Sequence, residues 1–356
     1  MTRTLARREL TATLWARQQL VPALRTAQGV PEVVAHVIGL QAQENLAPYL
    51  SLAARVDGFA PADLSDRLEH RALVRFLTLR GTVHVLTPSD ALSLRAWVQP
   101  ALDRVSASNQ LSRPARELTT DRLDAVVRVA LAAGPQPVAG IGSALAVAFP
   151  GIDEAALRNV ARERLPLLQV PPRGLWKRSG GVVYAYADSY LGGAFVPLDV
   201  ESLVLRYLAA YGPATAADMT AWSMVTRLGP VFTALAREGR LTTYADEAGR
   251  TLYDVPGAAL APGDLDLPPL LLGTYDNVFL SHAERSRIAP DEARRGWMGA
   301  NGGVGATLFV DGLLAGIWRV EDERVVVRPF GRPTRAQRAG IDAEVDRVER
   351  LLATDA

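Results

Sequence analysis

Two stretches of the chain repeat the same order of sequence features, and this repeat is the strongest constraint on the fold. The tetrapeptides Ala132-Ala133-Gly134-Pro135 and Ala210-Tyr211-Gly212-Pro213 each follow an apolar segment of helical periodicity, Leu123–Leu131 and Val200–Ala209. A second helix, a third helix and a pair of β-strands are predicted after each segment. This is the order of a winged helix, a helix-turn-helix whose third helix can enter a DNA groove. Finding it twice predicts a tandem array.

The predicted strand pairs have turn residues between them. The pairs are Leu167–Val170 with Val182–Tyr186, and Leu241–Tyr244 with Thr251–Val255. Gly180-Gly181 supplies the turn of the first pair and Ala248-Gly249 that of the second. Each pair is therefore predicted to form the two-stranded wing of its module.

The sequence as a whole predicts an α+β protein of four segments. They are an N-terminal winged-helix segment (1–115), a second winged helix (116–192), a third (193–260), and a C-terminal segment (261–356). In the first segment, Thr4–Val21 is predicted as one amphipathic helix. In the last, several short strands and the turn signal Asp311-Gly312 predict a small β-barrel or sheet, closed by the amphipathic helix Arg335–Ala353.

Gln41 and Gln43 lie where one apolar helix ends and another begins near Asn45. Residues two apart point to the same side of an extended backbone, so we expect both amides to face one crevice. Each amide offers two donors and an acceptor, which suits it to holding a water molecule and a sugar oxygen. The alternative is a polar turn in which the glutamines cap helix ends.

Composition excludes several classes of protein. The chain has 356 residues, 49% of them hydrophobic, which predicts a globular protein with a substantial core. We find neither an apolar run long enough to span a membrane nor the h-region of a secretory signal. The chain has no cysteine and only four, scattered histidines, so we expect neither a metal nor another cofactor.

Arginine supplies nearly all the positive charge. Net charge is +1, and Lys177 is the only lysine. Arginine binds phosphate bidentately and stacks on bases, which suits nucleic acid; codon bias in a GC-rich genome is the alternative reason. The candidate DNA contacts lie in four places. Arg158 and Arg162 lie on the predicted third helix of the first repeat, and Lys177 and Arg178 in its wing; Arg80 precedes this repeat, and Arg285 and Arg287 lie in the C-terminal segment.

Four further polar residues are candidates for an auxiliary role in catalysis. Asp276, Asn277 and His282 form the best polar cluster of the C-terminal segment, and Asp276 is the one carboxylate that we nominate as an auxiliary base. Loop capping by Asp and Asn is the alternative. His84 could contact phosphate or orient the glutamines, or it lies in a strand that pairs internally.

Three motifs occur together in a fixed order: Gln-x-Gln after an apolar helix, Arg80-Gly81-Thr82-Val83-His84, and the segment from Asp276-Asn277 to Arg285-Ser286-Arg287. This combination resembles the winged-helix DNA-binding family that contains the AlkZ-like DNA glycosylases, over essentially the whole chain. The resemblance implies three winged-helix modules around a small β-barrel, forming a concave DNA-binding channel. It also implies that Gln41 and Gln43 line the catalytic channel. Another branch of the family carries Asp at the second position of this motif. This chain has Gln43 there, and the resemblance therefore places it nearer the natural-product self-resistance enzymes.

The resemblance implies a monofunctional DNA glycosylase that removes N7-alkylated purines, bulky adducts or interstrand crosslinks, from double-stranded DNA. We expect a monomer that is cytoplasmic and nucleoid-associated and that does not bind membranes. Lyase activity generally requires an amine, and the only lysine lies in a predicted wing, so we expect none; the N-terminal amine is the alternative.

Two other functions remain open at this point. The first is a DNA-binding transcriptional regulator without catalysis, the commonest role of winged helices. The second is a resistance protein that sequesters a genotoxic compound.

Overall fold

The computed structural model describes residues 2–25, 28–297 and 305–355, which form mixed α+β structure. The chain divides into two compact units. Unit 1 comprises Met1–Pro61, Asp199–Trp222 and Thr226–Asp355, and unit 2 comprises Ala62–Leu198 and Ser223–Val225. The predicted segment 1–115 contributes to both units, and the division into four segments stays a prediction. No helix in the described parts of the chain is long and apolar enough to cross a bilayer.

The helices are α1 (Arg7–Arg17), α2 (Val30–His36), α3 (Ala47–Ala53), α4 (Pro61–Glu69), α5 (Pro88–Ser108), α6 (Thr120–Ala130), α7 (Val138–Ala148), α8 (Glu154–Arg164), α9 (Ala187–Leu191), α10 (Val200–Tyr211), α11 (Ala216–Ser223), α12 (Gly229–Arg237), α13 (Asn277–Leu280), α14 (Asp291–Trp297) and α15 (Arg335–Ala353). The strands are β1 (Thr4–Leu5), β2 (Leu40–Gln41), β3 (Val74–Leu77), β4 (Val83–Leu86), β5 (Gln136–Pro137), β6 (Leu167–Val170), β7 (Val183–Tyr186), β8 (Thr242–Asp246), β9 (Thr251–Asp254), β10 (Leu270–Leu272), β11 (Ala306–Val310), β12 (Leu313–Glu321) and β13 (Arg324–Pro329).

Unit 2 contains the first predicted repeat. Helices α6, α7 and α8 precede the antiparallel pair β6–β7, so the predicted element order is confirmed. Their apolar faces enclose one core, in which Leu123, Ile141, Leu157 and Tyr184 are buried. Strands β4, β3, β6, β7 and β5 are neighbours in that order in one sheet.

The link between β6 and β7 differs from the prediction. Gly180-Gly181 does not make a tight turn alone, because residues 171–182 form a longer connection. Leu175 and Trp176 within this connection are buried, and the Trp176 amide donates to Ser65 Oγ at 3.1 Å. The need to bury these two apolar side chains draws the connection back onto the unit.

Unit 1 contains the second predicted repeat and the N-terminus. Helices α10, α11 and α12 precede the antiparallel pair β8–β9, again as predicted. The single helix predicted over Thr4–Val21 is wrong at both ends. Its first residues form β1, which pairs in parallel with β8, and Leu5 packs against Leu10 and Leu252. Helix α1 ends at Arg17, and Gln19 then adopts a left-handed φ of 57°.

The C-terminal strands form an open sheet, and the barrel alternative is wrong for the described residues. Strands β10, β11, β12 and β13 are antiparallel neighbours in that order. Helix α15 accepts hydrogen bonds from the two edge strands, β10 and β13. The Leu271 amide donates to Glu344 Oε2 at 3.0 Å, and the Val325 amide donates to Glu349 Oε1 at 2.9 Å. Side chains of the helix thus take up edge hydrogen bonds that a closed barrel would satisfy between strands.

Candidate active site

The two glutamines lie at a helix-to-helix joint, as predicted. Helix α2 ends at His36, the backbone turns through Ile38 and Gly39, and Gln41 closes the short strand β2 before α3 begins. Ile38 and Gly39 both have left-handed φ angles, 54° and 93°. The Gln41 side chain is nearly buried, with the residue 6% exposed, whereas Gln43 is exposed. That both amides face one crevice remains a prediction.

Three side chains bind backbone carbonyls at this joint. Arg206 Nη2 donates to Ala35 O at 2.9 Å, and Tyr211 Oη donates to Val37 O at 2.5 Å. Asn277 Nδ2 donates to Gly39 O at 2.7 Å. The Ala35 carbonyl also accepts the Ile38 amide at 3.2 Å, so Arg206 is its second donor, whereas the Val37 carbonyl lies beyond the last residue of α2, where the helix supplies no donor. The partners come from α10 and α13, far away in sequence.

Asp276 forms a buried ion pair with Arg55. Arg55 Nη2 lies 2.8 Å from Oδ1, and Arg55 Nη1 lies 2.9 Å from Oδ2. Ser51 Oγ and the Val278 amide also donate to the carboxylate, at 2.9 and 3.1 Å. Burial raises the pKa of the Asp276 carboxyl, but the Arg55 charge and these hydrogen bonds outweigh it, so the net pKa lies below the ordinary value.

These contacts give Asp276 the capping role that the sequence left open, because it is the N-cap of α13. An ionised carboxylate accepts about four hydrogen bonds, and four donors already surround it. The geometry does not support the predicted role of Asp276 as an auxiliary base, since its oxygens are engaged and the residue is 7% exposed.

His282 and Arg287 share a second buried cluster. His282 Nε2 lies 3.0 Å from Tyr211 O and 3.1 Å from Arg287 Nη1, and His282 Nδ1 lies 3.0 Å from Ser281 Oγ. Burial, with the Arg287 charge, lowers the pKa of His282 to about 3 although Asp218 opposes this. Arg287 is 3% exposed and donates to Pro213 O at 3.0 Å.

The burial of Arg287 corrects its prediction as a phosphate contact, because its guanidinium serves the interior of unit 1 instead. Neighbouring Arg285 is half-buried, and its guanidinium carbon lies 5.0 Å from the centre of the Phe279 ring. Burial lowers the pKa of Arg285 below its ordinary value. Arg285 therefore remains the candidate for DNA contact in this segment.

His84 lies inside the sheet of unit 2, which confirms the internally paired strand. It stands opposite Phe76 in the β3–β4 register and is fully buried. Its Nδ1 lies 3.0 Å from Thr82 O, and its Nε2 lies 3.1 Å from Arg80 Nη2. Burial and the Arg80 charge lower the pKa of His84 to about 3, so the ring is neutral near pH 7.

The other candidate DNA contacts differ in exposure. Lys177 and Arg178 are exposed on the 171–182 connection. Arg162 is half-buried and donates to Asn159 Oδ1 at 3.2 Å, and Arg158 lies 3.5 Å from Glu154. Helix α8 packs against α5, α6 and α7, so much of its surface is covered within unit 2. The connection thus presents its cations more openly than the helix does.

Sequence reasoning missed Arg55, Ser51 and Tyr211. An arginine directly after an apolar helix was the available signal, because a charge in such a position requires a partner. Nothing local indicated that the partner is Asp276, over two hundred residues later. In the parts of the chain that the structure describes, no three His, Asp or Glu side chains are grouped to hold a metal ion.

Comparison with known proteins gives concordant matches. The family model described as "DNA glycosylase AlkZ-like" matches residues 34–351. A protein of Streptomyces sahachiroi named "Interstrand DNA cross-link repair glycosylase" is 26% identical, over 94% of both chains. The solved structure of Streptomyces sahachiroi DNA glycosylase AlkZ superposes with a TM-score of 0.77 at 24% identity, covering 99% of this chain and 98% of that one.

Proposed function

The chain belongs to the AlkZ-like DNA glycosylase family, and on this premise we propose that it hydrolyses the N-glycosidic bond of N7-alkylated purines in double-stranded DNA. In this proposal its substrates are bulky adducts or interstrand crosslinks; the name of the Streptomyces sahachiroi relative gives interstrand cross-links for that protein. The role is DNA repair and self-resistance to a genotoxic natural product.

The observation that carries the proposal is the Gln41–Gln43 segment within the family match. Gln41 lies in a short strand directly after a left-handed turn, and Gln43 is exposed to solvent before α3. We assign both amides the task of positioning water at the anomeric carbon. A carboxamide is no base near neutral pH, so it acts by orientation and fixed dipoles.

This chemistry suits a cationic leaving group. An N7-alkylguanine carries a positive charge, which weakens its glycosidic bond, so the enzyme need not protonate the base. It must stabilise the oxocarbenium-like sugar and deliver a water molecule, and amide oxygens aimed at the sugar do both. Because Asp276 is held by four donors, the proposal assigns no carboxylate to proton transfer.

We propose that the enzyme is monofunctional. A lyase forms a Schiff base through an amine, and the only lysine, Lys177, is exposed on the 171–182 connection of unit 2. In this proposal α6–α8 with β6–β7, and α10–α12 with β8–β9, are winged-helix modules of a monomer that needs no metal. The proposed DNA contacts are Arg80, Arg158, Arg162, Lys177, Arg178 and Arg285.

The test is release of base from duplex DNA that contains N7-methylguanine. Wild type is compared with the Gln41→Ala/Gln43→Ala double variant and with Gln110→Ala, a control that removes an exposed glutamine of unit 2. We expect release by the wild type and the control, and a loss of about a hundredfold or more in the double variant. Strand cleavage is expected only after alkali, because a monofunctional enzyme leaves an intact abasic strand.

Full release by the double variant would move the site away from the glutamines. If the wild type fails on N7-methylguanine, the assay is repeated with duplex carrying an interstrand N7 crosslink. Failure on both substrates would contradict the glycosylase and leave DNA binding without chemistry.

A further inference from the structure

We propose that Tyr211 and Asn277 are positioning residues for the glycosylase reaction, and this inference rests on the proposed function. Each donates a hydrogen bond to a backbone carbonyl just before Gln41, at Val37 and at Gly39. Neither side chain is assigned a contact with DNA or water. They act by fixing the direction in which the chain leaves α2 and presents the two glutamines.

Both bonds are buried, so water cannot replace them. Tyr211 is 0% exposed and Asn277 is 3% exposed. Val37 is also 0% exposed, and its carbonyl belongs to the end of α2, where the helix supplies no donor. A buried carbonyl that loses its donor cannot bond to water instead. The local backbone is therefore expected to shift until the carbonyl finds another donor.

The backbone between the two bonds is of a kind that needs support. Ile38 has a φ of 54°, which is unfavourable for a β-branched residue, and Gly39 follows with 93°. Such conformations persist only where surrounding contacts impose them. The bond to Val37 holds the chain before this turn, and the bond to Gly39 holds it within the turn, two residues before Gln41.

Precise backbone direction matters more here than in a site with a strong base. Amides that work by orientation lose their effect when they are displaced, and a shift of about 1 Å can cost about a hundredfold in rate. Loosening the Ile38–Gly39 turn should therefore reduce the chemical step. Affinity for DNA should be retained, since no phosphate contact is removed.

Helix α10 offers a matched pair of variants. Tyr207 and Tyr211 lie one turn apart, both fully buried, with stacked rings 5.2 Å apart. The Tyr207 hydroxyl donates to Ser281 O at 2.7 Å, at the far end of α13, whereas that of Tyr211 reaches α2. Tyr211→Phe and Tyr207→Phe each delete one hydroxyl and its bond to a buried carbonyl, but only the first loosens the segment before Gln41.

The experiment measures single-turnover base release, dissociation constants for lesion-containing duplex, and melting temperatures for the full chain. We expect Tyr211→Phe and Asn277→Ala to slow release about tenfold or more, with the dissociation constant changed by less than about twofold. Tyr207→Phe should lower the melting temperature as much as Tyr211→Phe does, yet keep the wild-type rate. A purely structural role would instead make rate and stability change together in all three variants.

Several outcomes would overturn the inference. Wild-type rates in Tyr211→Phe would do so, as would equal slowing in Tyr207→Phe or a loss confined to DNA affinity. Tyr211→Phe decides the matter even if Asn277→Ala fails to fold, because it deletes a single oxygen. A wild type that releases no base from either test substrate would defeat the proposed function and this inference with it, whereas an active wild type with equally active variants defeats the inference alone.

Discussion

Asp276→Ala is expected to be among the most destabilising single substitutions in unit 1. The residue closes a bidentate ion pair in which the side chains of Arg55 and Asp276 are 0% and 2% exposed. Deleting the carboxylate leaves the guanidinium charge buried without a counter-charge. It also removes the N-cap of α13 and the acceptor for Ser51.

The magnitude follows from these contacts. Breaking a buried pair by removing one partner costs about 3 to 5 kcal/mol, and losing an N-cap adds about 1 kcal/mol. We therefore expect a loss of about 4 to 6 kcal/mol, a large part of the total stability of about 5 to 15 kcal/mol usual for a folded domain. Asp276→Asn keeps an acceptor for the cap and should lose about 2 to 3 kcal/mol.

The assay is urea unfolding of the full chain, monitored by tryptophan fluorescence. The change in the free energy of unfolding is taken from the shift of the midpoint, provided that the dependence of this free energy on urea concentration is unchanged. The control is Asp57→Ala, which breaks the pair between Arg25 and Asp57, where the aspartate side chain is 75% exposed. Because the Asp57 carboxylate lies in solvent, although the Arg25 side chain is only 13% exposed, we expect this substitution to cost about 1 kcal/mol or less. Equal midpoint shifts for Asp276→Ala and Asp57→Ala would refute the argument that burial makes the first pair decisive.

Two further predictions concern pH and salt. His84 and His282 have pKa values of about 3 in the folded protein, against an ordinary value of 6.5. The rate of base release should therefore show no inflection from these two groups between pH 6 and 8. The free energy of unfolding should fall as the pH drops from about 6.5 towards 3, because over this range only the unfolded chain takes up their protons. Urea midpoints that stay constant over pH 4 to 6.5 would contradict this assignment. Lys177→Ala and Arg178→Ala, which remove exposed cations, should each lower the slope of log affinity against log salt by about 0.9 in DNA titrations, whereas the half-buried Arg162→Ala should change it less. The reverse order would place the DNA on α8.

The local elements could be predicted from the sequence because their signals are local. The Thr87-Pro88 start of α5, the two three-helix repeats and the joint at the glutamines all lie where periodicity and capping residues indicate. The predicted Thr4–Val21 helix failed because Thr4 and Leu5 pair with β8, a strand some 240 residues later in the chain. Helical periodicity in the sequence gives no information about such a pairing.

In the candidate site, too, local features could be predicted from the sequence, whereas contacts with distant residues could not. Gln41 and Gln43 could be singled out from their spacing and position, and the aspartate and asparagine of α13 from their polarity. The partners of this aspartate and asparagine could not, since Arg55 and Gly39 approach them through tertiary packing alone, and the same holds for the bond from Tyr211 to the Val37 carbonyl. Burial also reversed the interpretation of Arg287, because a sequence does not distinguish an arginine that faces DNA from one that binds an internal carbonyl.

The two glutamates of α15 have a consequence for the solubility of the protein. They occupy amide groups on the two outermost strands of the C-terminal sheet, β10 and β13, at Leu271 and Val325. Arg347 on the same helix also donates to the Leu271 carbonyl at 3.3 Å. Loss of the final helix would therefore offer two unguarded strand edges to other molecules at once, each able to recruit a foreign strand. We therefore expect the last helix to limit self-association as well as to cover the sheet.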